Sequence, residues 1–341
     1  MKQLKELLFS LCTARGVSGT EHAAAGIAGE YLGKYAQVEE DINGNLFGVL
    51  GDLDASFHIL LDAHLDQIGL IVTGIDSKGF LKAEPCGGID RRVLQGSPFI
   101  VLGKEEVPCV CGCMPPHLSD GGEDKPIAAD ALWFDTGLPA EKVKERVSLG
   151  DRIVFDSEPK QLLGARVSCA ALDNRAGAAV MLRCAEKLSG ETLRCKVTVA
   201  LTAQEEISGS GARTAAFAAY PNEAIAVDVS FARQSGVTAE KSGAMGKGGM
   251  IAIAPTISGE MSKRLVAIAN EKNIPHQLEV MGAATGTNAD YISCARGGVK
   301  TALVSIPQRS MHTQAEVVDL NDIEAVAELI CAYVLERSAS L

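Results

Sequence analysis

The sequence predicts an α/β fold, a mixed sheet flanked by helices on both faces, with a small β-rich unit inserted into it. Three observations predict it. Continuous apolar runs typical of buried strands alternate with segments of helical periodicity at both ends of the chain. Between residues 68 and 157 the texture changes to short segments such as IGLIVTG, FLKAEPC and SPFIVLG, separated by turns rich in Gly, Pro and Asp. The 341 residues also exceed one ordinary domain of about 150 residues. The division expected is therefore one α/β domain, 1–67 with 158–341, interrupted by a β-rich domain at 68–157.

Leu4, Leu7, Leu8, Leu11 and Cys12 share one face of a helix that should stop near Gly16, and a second helix should follow Thr20. Asn43-Gly44 is a two-residue hairpin signal. FHILLDAH reads as a strand covered on both faces and ending in His64. After the insertion a helix is expected over 174–188, strands in CKVTVALTA and AIAVDVS, a helix over 261–271 and a strand in KTALVSIP. A closing helix presents Ile323, Val326, Ile330, Tyr333 and Val334 on one face.

Hydrophobic residues at 47% and charged residues at 22% are ordinary for a globular chain, so a sizeable core can form and extensive disorder is excluded. The net charge of -11 repels polyanions, which argues against nucleic acid and against an anionic membrane surface as partners. Aromatic residues at 4%, with one Trp, supply little stacking surface for sugars or nucleobases. No apolar run approaches the ~18 residues of a membrane span, and the short run Leu7–Cys12, entered through Glu6, is too brief for a secretory signal. A cytoplasmic protein is expected, with its ten cysteines reduced and mostly packed in cores. Cys109, Cys111 and Cys113 are spaced by two, which places them on one face of a strand. Even with His117 nearby they lack the paired turn spacing of a structural zinc site.

In open α/β sheets ligands bind beyond the carboxyl ends of the strands, so polar residues after apolar runs are the ones to collect. They are His64 and Asp66 after FHILLDA, Asp173 in CAALDNRAG, Glu205 and Glu206 after VALTAQ, Asp228 in AIAVDVS, and His312 after LVSIPQRSM. Two imidazoles and several carboxylates on one sheet edge have the composition of a dinuclear site for zinc or cobalt. If Asp173 is shared between two divalent ions while Glu206 and Asp228 bind one each, three carboxylates leave a net positive charge that favours a bound hydroxide. A further carboxylate must stay free to take a proton from water and deliver it to the leaving amine. Glu205, beside a ligand, is placed for that. Asp66, two residues after His64, suits the orientation of its imidazole.

AHLDQIG, ALDNRAG, TAQEEISGSGA, AVDVSFA and IPQRSMHT, in this order, resemble the signatures of the dinuclear-metal aminopeptidases that include the glutamyl aminopeptidases and the tetrahedral peptidases. The likeness extends through PCGGIDRRVLQG, CMPPHL, LWFDTG and EVVDL, and so over essentially the whole chain. The resemblance implies removal of the N-terminal residue from peptides with a free N-terminus. It implies His64 and Asp228 on one ion, Glu206 and His312 on the other, Asp173 bridging, and Glu205 as general base. It further implies that the insertion is a PDZ-like dimerisation domain and that the chain forms a homo-oligomer built from dimers, up to a dodecamer. Gln67 stands where the family commonly has Glu, Ser310 where it has Tyr and Asn288 where it has Asp. None is an inferred ligand.

Three rival readings differ in chemistry. A glycosidase needs two carboxylates facing each other about 5–9.5 Å apart across the bond, which the adjacent Glu205-Glu206 pair does not supply by itself. A dinuclear amidohydrolase, cleaving dipeptides or N-acyl amino acids, would use the same ions on another amide. A non-catalytic binding protein would retain the ligands without turnover.

Overall fold

The computed structural model describes residues 1–115 and 131–341, so His117 lies outside the described residues. Helix α1 (Lys2–Thr13) buries Leu4, Leu7, Leu8, Leu11 and Cys12, the face its periodicity marks. Helix α2 (His22–Leu32) follows, and strands β1 (Gln37–Glu40) and β2 (Leu46–Gly51) pair as a hairpin beginning at Glu40 and Leu46. Its loop spans 41–45, longer than Asn43-Gly44 alone suggests. The Asp41 carboxylate holds this wider loop by accepting from the N–H groups of Asn43 and Asn45, and Gly44 supplies φ +85°.

Strand β3 (His58–His64) is buried along its whole length. Beyond it β4 (Gly69–Ile75), β5 (Leu81–Cys86), β6 (Pro98–Leu102), β7 (Glu106–Cys111), β8 (Phe134–Asp135) and β9 (Arg152–Phe155) close a six-stranded barrel in the order β4-β5-β8-β7-β6-β9. Phe99 lies at its centre, stacked on Phe155 at 4.7 Å and edge-on to Phe134 at 5.3 Å between ring centroids. Helix α3 (Ala140–Arg146) buries Ala140 and Val143 just before β9. Cys109 and Cys111 join the barrel core, but Cys113 is exposed: β7 ends at Cys111, so strand alternation no longer governs it. All ten cysteines are free thiols.

The chain leaves the barrel through β10 (Lys160–Gln161) and β11 (Arg166–Cys169). It continues through α4 (Leu172–Leu188), β12 (Lys196–Thr202), α5 (Glu205–Ser208), α6 (Ser210–Ala219) and β13 (Glu223–Phe231). Then come β14 (Gly249–Ile253), α7 (Gly259–Glu271), β15 (His276–Val280), α8 (Asn288–Ser293), β16 (Lys300–Gln308), β17 (Glu316–Asp319) and α9 (Leu320–Ala339). The main sheet has the order β1-β2-β12-β3-β13-β16-β14-β15, and β10, β11 and β17 form a small antiparallel sheet. Four neighbours, β12, β3, β13 and β16, run parallel, while β2 and β14 lie antiparallel to β12 and β16.

Alternation along β3 sends Ile59, Leu61 and Ala63 into the core shared with α1, α4 and α9. Leu60 faces the opposite side, where Ala212 and Ala216 of α6 and Ala289 and Ile292 of α8 pack. Helices therefore cover both faces, and each buried Leu or Ile of β3 contributes roughly 1.5–3 kcal/mol. Among the described residues no helix is long and apolar enough to cross a membrane.

Candidate metal centre

The four parallel strands bring their carboxyl ends to one edge, and the register there is tight: Thr202 pairs with His64, and Asp228 with Ser305. His64 closes β3, and Asp66 follows two residues on. Beyond β12, Gln204 takes a left-handed conformation (φ 59°) and turns the chain into the single turn of α5, which carries Glu205 and Glu206. Asp228 lies within β13, which runs on to Phe231, so it is a strand residue and not one that follows a strand. Asp173 sits at the start of α4 with non-helical φ/ψ of -80° and 106°. His312 lies beyond β16 at φ 62°.

These residues meet in two groups, His64 with Asp173 and Asp228, and Asp173 with Glu206 and His312, the ligand-type atoms of each lying within 4.8 Å of one another. Asp173 belongs to both. Its Oδ1 is 3.3 Å from His64 Nε2 and its Oδ2 is 3.2 Å from His312 Nε2. Asp228 Oδ1 lies 3.7 Å from His64 Nε2, and Glu206 Oε2 lies 3.5 Å from His312 Nε2. Glu205 Oε2 reaches 3.9 Å from His64 Nε2 but belongs to neither group.

The ring orientations follow from the outer nitrogens. His312 Nδ1 is 2.8 Å from the carbonyl of Gly88, and His64 Nδ1 is 3.1 Å from the carbonyl of Asp66. A carbonyl only accepts, so each Nδ1 carries a proton and each Nε2 faces the carboxylates, donating to Asp173 while the ring is protonated and free to ligate a cation once that proton is lost. Asp66 also organises the neighbouring turn. Its Oδ1 accepts from the Glu205 N–H at 2.9 Å, while its Oδ2 accepts from the Glu206 N–H at 3.1 Å and the Ser18 hydroxyl at 2.6 Å. Its Oδ1 also lies 3.3 Å from His64 Nδ1, so one buried carboxylate ties His64 to both glutamates.

Electrostatically the centre lacks positive charge. Burial, followed by the nearby Asp173 carboxylate, pushes Glu206 well above the usual range, and burial raises Asp228. Glu205 is pushed up to about 8 by burial, with Asp228 and Asp173 adding to the rise against the opposing pull of His64. Asp173 is held low against burial by hydrogen bonds from His312 and His64. Both imidazoles are raised despite burial, first by Asp173. Glu206 Oε1 is buried without a hydrogen-bond partner, a state that ordinarily costs about 1–3 kcal/mol or more. Bound cations would supply the partner and the charge, so the residues fit divalent ions.

Several residues at the centre were not singled out from the sequence. Glu316 accepts from the N–H groups of Asp173 and His312, and the Gly88 carbonyl fixes the His312 ring. Both stood inside recognised motifs, EVVDL and PCGGIDRRVLQG, but nothing local gave them a role. Of the three departures, Asn288 donates to Asp62 and Thr202 behind His64, Gln67 bonds to the backbone of Gly16, and the Ser310 N–H bonds to Gln234. The centre opens on a cavity of about 720 Å³, whose other walls include Ser230, Phe231, Thr285, Asp290 and Tyr291.

Two imidazoles and a shared carboxylate at the open edge of an α/β sheet make this a metallohydrolase-type centre on a fold that carries an inserted barrel. The chain belongs to the family of M42 glutamyl aminopeptidases, which matches residues 44–329. It is thus an aminopeptidase, a hydrolase of a metal-dependent family. The lysyl aminopeptidase of Pyrococcus furiosus is 31% identical over 342 residues, covering 97% of this chain and 96% of that one. Among solved structures, the aminopeptidase APDkam598 from the archaeon Desulfurococcus kamchatkensis superposes with a TM-score of 0.92 at 32% identity, covering 98% of this chain and 95% of that one. The Pyrococcus horikoshii TET1 peptidase, described as able to assemble into a tetrahedron or a large octahedral shell, superposes with a TM-score of 0.87 at 32% identity. That likeness covers 97% of this chain and 99% of that chain.

Proposed function

We propose that the centre holds two divalent ions, zinc or cobalt, and removes the N-terminal residue of peptides. His64 and Asp228 would hold one ion, Glu206 and His312 the other, and Asp173 would be shared. The observation that carries this reading is the division of Asp173 between the two imidazoles, one carboxylate oxygen toward each. Such ions, when bound, polarise the scissile carbonyl and make water nucleophilic near neutral pH.

Glu205 is the general base. Its Oε2 lies 3.9 Å from His64 Nε2 without joining either group, its side chain is 12% exposed, and burial gives its carboxylate a strong appetite for a proton. It takes the proton of the attacking water and passes it to the departing amine. Asp66 orients His64 and, through the N–H groups of residues 205 and 206, fixes the base beside its neighbouring ligand.

The division into a catalytic domain, 1–67 with 158–341, and an inserted domain, 68–157, is part of the same proposal. All six barrel strands fall within the inserted range. The barrel is proposed as a PDZ-like dimerisation domain of a cytoplasmic homo-oligomer built from dimers, up to a dodecamer.

The deciding assay compares aminoacyl chromogenic substrates and peptides bearing a free amine with their N-acetylated forms, after chelation and after adding zinc or cobalt. Cleavage of the free-amine substrates alone, abolished by chelation and restored by metal, is expected. Cleavage of the acylated forms in preference would make the chain an N-acyl amidohydrolase, and full turnover by metal-free protein would end the metal reading.

A further inference from the structure

Glu316 opens β17 and is 1% exposed. Its two carboxylate oxygens are spent on two different parts of the centre: Oε1 accepts from the His312 N–H at 2.8 Å and Oε2 from the Asp173 N–H at 3.1 Å. The strand that carries it is bonded on both sides to the segments that deliver those residues. On one side Glu316 pairs with Cys169 of β11, the strand that leads into Asp173. On the other, Val317 exchanges both backbone hydrogen bonds with Arg309, on the segment that leads to His312.

His312 needs such support. Its φ of 62° is uncommon for a residue with a Cβ, and a side chain on a flexible loop would lose its aim. We infer that Glu316 is a positioning residue that sets the spacing between Asp173 and His312, and so the geometry of the ion these two residues share. The inference rests on the two-ion reading above.

The chemistry of the side chain explains why a carboxylate stands here. Two N–H donors meet two carboxyl oxygens, each able to accept, even though burial and then the Asp173 carboxylate push Glu316 well above the usual carboxylate range. Glutamine has one acceptor oxygen, so its amide would face one of the two N–H groups donor to donor. Glu316→Gln therefore preserves volume while releasing one of the two backbone segments.

The test uses the full chain, depleted of metal and titrated with cobalt, read by visible absorption and by metal stoichiometry at buffered free metal. Wild type should bind two ions. Glu316→Gln should bind the His312-side ion about 10–100-fold more weakly, the usual effect of losing an outer support, with an altered cobalt spectrum. Asp322→Asn is the comparison, because Asp322 is also buried and accepts two backbone N–H groups, those of Gly246 and Gly248. It should lower stability and leave the spectrum unchanged.

Wild-type affinity and spectrum in Glu316→Gln would overturn the inference, whereas failure of wild type to bind two ions would overturn the reading beneath it. Should the variant not fold, hydrogen exchange on metal-depleted wild type decides. Slow exchange at the amides of Asp173 and His312 supports the clamp, and exchange at unprotected rates overturns it.

Discussion

The ring N–H of His312 donates to the carbonyl of Gly88 at 2.8 Å, joining positions 224 residues apart. Gly88 follows the last residues of barrel strand β5, and His312 follows the main-sheet strand β16. The Asp90 N–H adds a second link, to the His312 carbonyl at 3.3 Å. The barrel thus fixes the tautomer of a residue in the centre, and the loop after β5 is part of the site.

Gly88→Ala tests that link. A Cβ at Gly88 would stand 2.9 Å from His312 Nδ1, closer than the contact allows, so the ring must turn or the loop must retreat. Metal-depleted protein should keep nearly its full stability, since Gly88 fills no core. Affinity for the His312-side ion should fall about 10–100-fold. Calorimetric titration with zinc checks this, and wild-type affinity would remove the barrel loop from the site.

What the sequence made legible was local. The spacing of Leu4, Leu7, Leu8 and Leu11 marks the buried face of α1, and the unbroken apolar run of β3 marks a strand covered on both sides. Polar residues beside the apolar runs then nominate His64, Asp173, Glu205, Glu206, Asp228 and His312, which the fold brings together. Glu316 and Gly88 were not legible because their roles depend on contacts across 143 and 224 positions. The edge strand β15 escaped notice for another reason: HQLEV is short and half-exposed, so no apolar pattern distinguishes it from a loop.

Assembly is the next expectation. The barrel is closed and covers its own edges, with exposed Val110 on its outer surface. Deleting the barrel would also delete the Gly88 carbonyl, so loss of activity in a deletion would not isolate assembly. Sedimentation of the intact chain does. It should give a multiple of 35.7 kDa at micromolar concentration, and a monomer would remove the proposed dimerisation role.

A pH dependence of stability arises away from the candidate metal centre. His58, at the start of β3, is 6% exposed, with Nε2 2.8 Å from the Thr198 hydroxyl. Burial and then the charge of Lys196 lower it to about 4, against about 6.5 in an unfolded chain. Between these values the unfolded state binds more protons, so the stability His58 provides is complete above about 6.5 and is lost as pH falls toward about 4. Urea unfolding of metal-depleted protein across that window should show a shallower acid loss in His58→Gln than in wild type. Equal slopes would show that His58 is not the sensor.

The sharpest separation is between Glu205 and Glu206, identical side chains on consecutive residues of one turn. Their backbone N–H groups both bond to Asp66, at 2.9 and 3.1 Å, so the turn itself is common to both variants. Their carboxylates part company: Glu206 joins His312 and Asp173 in a ligand-type group, while Glu205 stands outside both groups. Glu205→Gln should keep both ions and lose turnover by roughly 10²–10⁴-fold, the contribution of general acid–base catalysis. Glu206→Gln replaces a charged oxygen with a weakly ligating amide, so one ion should be lost or loosened, with activity partly recovered at high metal. Elemental analysis beside steady-state kinetics on a free-amine peptide reads both effects. Loss of metal from Glu205→Gln with retention of both ions in Glu206→Gln would reverse the assignment of base and ligand.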